Sequence, residues 1–135
     1  MSEDAAHELQ VAIVTALKSD PDVTALIAGR VYDRVPQGVT LPYVSFGPTQ
    51  ELPEDADGLD LSDLVIQLSV WSEDPGFAEG RRIAKAVVKA LSGDTLSLTD
   101  NALTFLELDS RRDLRDPDGL TTHIALTFRA GIENH

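Results

Sequence analysis

The sequence predicts an α+β domain: one antiparallel or mixed sheet of four to five strands, with helices on one face, in the order α-α-β-β-α-β-β. Three observations carry this. Two stretches repeat apolar residues at helical spacing. Two later regions alternate apolar and polar residues with the period of a strand. The 135-residue length suits one domain, 1–135, because a chain of this size buries about two-thirds of its unfolded surface without staples.

The first helix runs from about Ala5 to Lys18, where Leu9, Ile13, Ala16 and Leu17 form one stripe at i, i+4, i+7 and i+8. Asp20-Pro21 reads as the N-cap and first residue of a second, short helix. Val23, Leu26 and Ile27 form its buried face, and Gly29 sits where a C′ glycine belongs. Arg30 to Gly38 is a loop with an extended Val31-Tyr32 piece, and Pro42 to Gly47 starts a strand. Glu51 to Asp63 holds six acids and no base, with Pro53 and Gly58 among them, and reads as a mobile, solvated loop.

A long strand follows, in which Leu64, Ile66, Leu68 and Val70 alternate with Val65, Gln67, Ser69 and Trp71. Asp74-Pro75 is a second cap signature. The main helix spans about Phe77 to Leu91 and stops at Gly93, with Ile83, Ala84, Val87, Ala90 and Leu91 on its apolar face. Leu103, Phe105, Leu106 and Leu108 mark the next strand, and Ile124, Leu126, Phe128 and Ala130 the last. Asp116-Pro117-Asp118-Gly119 between them is a turn with proline at i+1.

Composition removes several functions. The net charge is −12, whereas nucleic-acid readers carry basic surfaces. Aromatics at 5% are too few for a base-stacking platform. There is no cysteine, hence no disulfide, thiol nucleophile or thiolate zinc site. The longest apolar stretch, Val11 to Leu17, is too short to span a bilayer, and Glu3 and Asp4 stand where a signal peptide is basic. The chain is expected to be made in the cytoplasm, with no membrane partner.

Catalytic motifs fail in turn. His7, His123 and His135 lack metal-ligand spacing, and His123 reads as an exposed strand residue. Ser45, Ser69 and Ser72 lack the glycines of a nucleophile elbow, and no phosphate loop is present. Asp55, Asp57, Gly58 and Asp60 suggest calcium, but an EF-hand glutamate is missing. No catalytic residue, metal or cofactor is expected.

What remains are surfaces. Arg81, Lys85 and Lys89 line up at i, i+4 and i+8, as a solvated helix face or a site for an acidic partner. Arg111, Arg112 and Arg115 stand among Asp109, Asp113 and Asp116 as a charge-balanced hairpin tip and candidate contact. Glu54, Asp55, Asp57 and Asp60 form the acidic candidate, and Trp71 is either an interface anchor or a cap on the core edge.

Five strings, in this order and spacing, resemble a known family. They are Ala16-Leu17-Lys18-Ser19-Asp20; Gly29-Arg30-Val31-Tyr32-Asp33-Arg34-Val35-Pro36; Leu41-Pro42-Tyr43-Val44 with Gly47; Val70-Trp71-Ser72; and Arg115-Asp116-Pro117-Asp118-Gly119-Leu120-Thr121-Thr122-His123. The set is similar to the tail completion, or tail terminator, proteins of long-tailed phages, prophages and gene transfer agents. The resemblance covers nearly the whole chain. It implies a non-enzymatic virion-assembly protein at the head-tail junction of a phage-like particle. It implies a homo-oligomeric ring, a hexamer by family habit, that caps the head-proximal end of the tail tube. Such a ring stops tube polymerisation and offers the head-tail connector a docking surface. Its implied partners are itself, the tube protein and the connector. DNA passes the channel without specific binding, and an acidic lining from Glu54 to Asp60 would repel phosphate. The alternatives are a connector or stopper component, a small calcium-binding or hydrolase module, and a monomeric adaptor.

Overall fold

A computed structural model describes residues 4–56, 58–92 and 96–135. Helix α1 (Ala5–Ser19) starts at Asp4, whose Oδ2 accepts the His7 N–H at 3.0 Å. Helix α2 (Pro21–Ile27) starts at Asp20, whose Oδ1 accepts the N–H groups of Asp22 and Val23 at 2.9 and 3.0 Å. These bonds satisfy donors that the first turn leaves orphaned. Strands β1 (Val31–Tyr32), β2 (Tyr43–Ala56) and β3 (Leu59–Ser72) follow, then helix α3 (Ala78–Ala90) and strands β4 (Ala102–Arg115) and β5 (Thr122–Glu133). Among the described residues, no helix is long and apolar enough to cross a membrane.

The sheet order is β1-β2-β3-β5-β4. β1 pairs parallel to β2 at only two positions, and all other pairs are antiparallel, so the sheet is mixed. The expected α+β class holds, and the Val31-Tyr32 piece supplies the extra short strand.

Alternation decides the layers. Leu64, Ile66, Leu68 and Val70 of β3 are buried, as are Ile124, Leu126, Phe128, Ala130 and Ile132 of β5. They form one cluster with Leu9, Ile13 and Leu17 of α1, Val23 and Ile27 of α2, and Ile83, Ala84 and Val87 of α3. α3 lies against β3 and β5, with α1 and α2 beside it. Each large apolar side chain so buried contributes roughly 1.5–3 kcal/mol. The opposite sheet face carries no helix from among the described elements.

Three local expectations change. The acidic stretch 51–63 is not a loop: it is the paired end of β2 and β3, in register from Glu51↔Leu64 to Ala56↔Leu59. Asp57-Gly58 in the sequence is the strongest short hairpin signal, and Gly58, next to the last pair Ala56↔Leu59, takes φ +81°. The acid count masked a strand whose charges fall on both faces, Glu51 paired with Leu64 and Glu54 with Leu61. Second, Asp74-Pro75 does not cap α3. The N-cap position is Phe77, without a side-chain bond. Ser72 shapes the turn instead: its hydroxyl accepts the Asp74 N–H at 3.1 Å and donates to Glu79 Oε1 at 2.7 Å. Third, Arg111 to Arg115 belong to β4, and the tip proper is shorter. There Asp118 Oδ1 accepts the N–H groups of Leu120 and Thr121 at 2.8 and 2.9 Å, which holds its carboxyl below the usual range. The Gly93 stop lies outside the described residues.

Candidate assembly surfaces

The basic face of α3 is exposed as expected, and it faces β4 across a groove. The groove holds about 610 Å³ and is lined by Arg81, Ala84, Lys85, Val88, Lys89, Ser92, Leu108 and Arg111. α3 supplies one wall because residues 81, 85, 88 and 92 recur at helical spacing along one side. β4 supplies the other because Leu108 and Arg111 stand opposite Phe128 and Leu126, whose side chains are in the core. Their own side chains therefore point to the helix side of the sheet.

The arginines around this groove are not equivalent. Asp113 holds two of them, Arg81 Nε at 2.8 Å and Arg111 Nε at 3.1 Å. The guanidinium carbons of Arg81 and Arg115 both lie 4.9 Å from the Phe77 ring centroid, so one ring contacts two cations. These contacts tie the start of α3 to the end of β4. Both ion pairs are largely solvated on the arginine side, so each is worth at most about 1 kcal/mol. Among the described residues, no carboxylate pairs with Lys85 or Lys89.

Arg112 stands opposite Ala125 and belongs to the helix-free face. That face carries a row of rings from four strands: Tyr32, Tyr43, Trp71 and His123. Trp71 and His123 are register partners, stacked at 4.0 Å between centroids with planes 10° apart. Tyr43 follows at 6.3 Å from Trp71, and Tyr32 at 5.9 Å from Tyr43. The Trp71 indole N–H donates to Ser45 Oγ at 3.1 Å. Trp71 is thus the centre of a cross-strand stack on the helix-free face rather than a cap on the core edge.

His123 is half-buried rather than exposed, because Trp71 covers one side of its ring. Burial pushes its pKa down; the Asp116 charge opposes this and Arg112 adds to it. Asp116 itself opens the β4–β5 turn, its C=O accepting the Gly119 N–H at 2.9 Å. Burial likewise raises the Tyr43 pKa.

The acidic candidates lie across the sheet. Glu54 and Asp60 are exposed on the β2–β3 hairpin, Asp55 is part of β2, and Asp57 lies outside the described residues. Asp60 Oδ1 accepts from Asn134 Nδ2 at 3.2 Å, and Glu51 Oε2 accepts from Ser62 Oγ at 2.7 Å. Sequence reasoning passed over Leu52 and Leu59 on the same hairpin, 50% and 48% exposed. It also passed over Glu8, whose carboxylate accepts the N–H groups of Thr99, Asp100 and Asn101 at 3.2, 2.8 and 3.1 Å. The Asp100 bond leads in lowering its pKa. Among the described residues, no group of three or more His, Asp or Glu is placed to hold a metal ion.

The tail completion protein gp17 family model matches residues 11–133. A chain from the virion of a native gene transfer agent particle is 31% identical, with a TM-score of 0.90, over 98% of this chain and 100% of that one. The gp17 protein of bacteriophage SPP1 is 23% identical, with a TM-score of 0.63, over 93% of this chain and 89% of that one; this likeness speaks to the fold. No curated protein matches the chain. With the family model matching nearly end to end, the chain belongs to the tail completion protein gp17 family.

Proposed function

We propose that the protein is a tail terminator. Its copies form a ring, six-fold by the habit of the resemblance, on the head-proximal end of a tail tube. The ring stops tube growth and gives the head connector its docking surface. The tail completion family is structural, and the protein is a virion-assembly component rather than an enzyme. The observation that carries the terminator reading is the family match over residues 11–133, joined to full-length likeness to a gene transfer agent virion chain.

The physics supports it. A ring needs two different patches on one subunit, related by a rotation that closes. The sheet order gives the molecule two unlike edges, β2 with a short β1 on one side and β4 on the other. The net charge of −12 keeps a DNA duplex from adhering as it passes.

The test is tail length by electron microscopy in a producer strain lacking this gene. Overlong, headless tubes are expected. Tails of normal length that fail to join heads would assign the protein to the connector instead. Wholly normal particles would overturn the assembly role.

A further inference from the structure

We infer that the α3–β4 groove receives the leucine-bearing acidic hairpin of a second copy, head to tail. This rests on the ring-forming reading above and names the contact that builds the ring.

The argument begins with the groove. Its floor is apolar, from Ala84, Val88 and the 38%-exposed Leu108. Its rim is cationic, and Lys85 and Lys89 have no acidic partner among the described residues. A fitting occupant is therefore apolar at its centre and acidic at its margin.

The β2–β3 hairpin of the same chain has that composition. Leu52, Glu54 and Leu59 lie on one face of it, since Leu52 opposes Asp63, Glu54 opposes Leu61, and Ala56 opposes Leu59. Leu64 is buried on the helix side, so this face is the helix-free one. The two leucines are half exposed, which leaves apolar area for a partner to cover.

Position makes the match heterologous. The hairpin belongs to β2, and the groove belongs to β4, with β5 and β3 between them. Donor and acceptor thus sit at opposite edges of one sheet. A subunit cannot fill its own groove, so another copy supplies the hairpin; a two-fold pair that exchanged hairpins would stop at a dimer, whereas a head-to-tail contact leaves one hairpin and one groove free at each step and closes only as a ring. Copies overlapping like roof tiles, the helix-free face of each hairpin over the helix-side groove of the next, satisfy every copy in a closed ring. The hairpin is then held in the subunit contact and does not line the channel.

The absence of cysteine makes the test clean. Leu59→Cys and Leu108→Cys are prepared singly in the full chain, and folding is checked by circular dichroism. Each is treated with a short flexible bis-maleimide, alone and as an equal mixture. Neither variant alone should cross-link. The mixture should give a single covalent dimer, and the double variant a ladder of higher species. Lys85→Glu with Lys89→Glu in the Leu108→Cys chain should remove the mixed dimer. Cross-linking of either single variant with itself would overturn the inference, because it requires a two-fold contact. No mixed dimer, while the wild type forms larger species by light scattering, would overturn the contact but leave the ring. No mixed dimer from a wild type that stays monomeric at all concentrations would overturn both.

Discussion

Gly131→Ala should destabilise the protein by about 1–2 kcal/mol, through one identifiable collision. Gly131 of β5 pairs with Phe105 of β4, where the register shifts between Leu103 and Phe105. A Cβ at Gly131 would meet Phe105 Cε1, and would lie 2.8 Å from its Cδ1 and 2.6 Å from Thr104 Oγ1. Carbon atoms rest at about 3.5–4.0 Å, so the ring must move by roughly 1 Å or more. Moving it disturbs the Arg129 guanidinium carbon, 5.9 Å from the ring centroid. Overpacking of this kind costs about 1–3 kcal/mol. Loss of glycine freedom in the unfolded chain offsets about 0.4–1 kcal/mol, and Phe105 is only half-buried, which leaves the ring some room to yield. For a chain of this length, 1 kcal/mol lowers Tm by about 3–4 °C. Urea unfolding can be followed through Trp71, the sole tryptophan. The same glycine change is then made in a Phe105→Ala background. There the penalty should vanish or reverse, because the exposed Thr104 hydroxyl can rotate away. An equal penalty in both backgrounds would refute the collision as the cause.

Two further outcomes are expected. Leu126→Ala should cost about 2–5 kcal/mol, since the side chain is fully buried, whereas Leu120→Ala, at 73% exposure on the β4–β5 tip, should stay within about 0.5 kcal/mol; urea midpoints compare the two. His123 has a lowered folded pKa. Below the unfolded histidine value of about 6.5, the unfolded chain therefore binds a proton that the folded chain resists. Its contribution is neutral above that pH, and stability falls as the pH drops from there toward the folded pKa. His123→Gln should flatten that part of the wild-type slope; identical slopes in the two proteins would sink the assignment.

The helices and the core strands were legible because their signals are local and periodic. The stripe of α1, the Asp20-Pro21 cap and the alternation of β3 each need only a short window of sequence. The surfaces were legible only as separate patches. Nothing in the spacing of Arg81, Lys85 and Lys89 says that Leu108 will face them, because that depends on β4 joining the sheet beside β5. Nor does the sequence announce that Trp71 and His123 are register partners, although both strands were marked correctly. Long-range register is set by whole-sheet packing. The acidic hairpin is hidden for a different reason: six acids in thirteen residues carry the signature of a solvated loop, which overshadows the Asp57-Gly58 turn signal and the leucines at 52, 59 and 61.

The same topology bears on how copies in the proposed ring would avoid open-ended strand pairing. Both edges of the sheet are open over long stretches, since β1 covers β2 only at Val44 and Ser45 and no described strand covers the outer side of β4. Open edges invite ladder pairing. Here each edge is interrupted. β2 carries Pro48 at an irregularity between Phe46 and Thr49, and Pro53 further along, neither of which can donate. β4 has register shifts between Leu103 and Phe105 and between Leu108 and Ser110, and bulges turn an edge away from a would-be partner. Continuous backbone pairing is thereby discouraged on both sides. In the proposed ring, association is left to side chains, where leucines and lysines would specify one partner geometry and the net negative charge would oppose every unmatched approach.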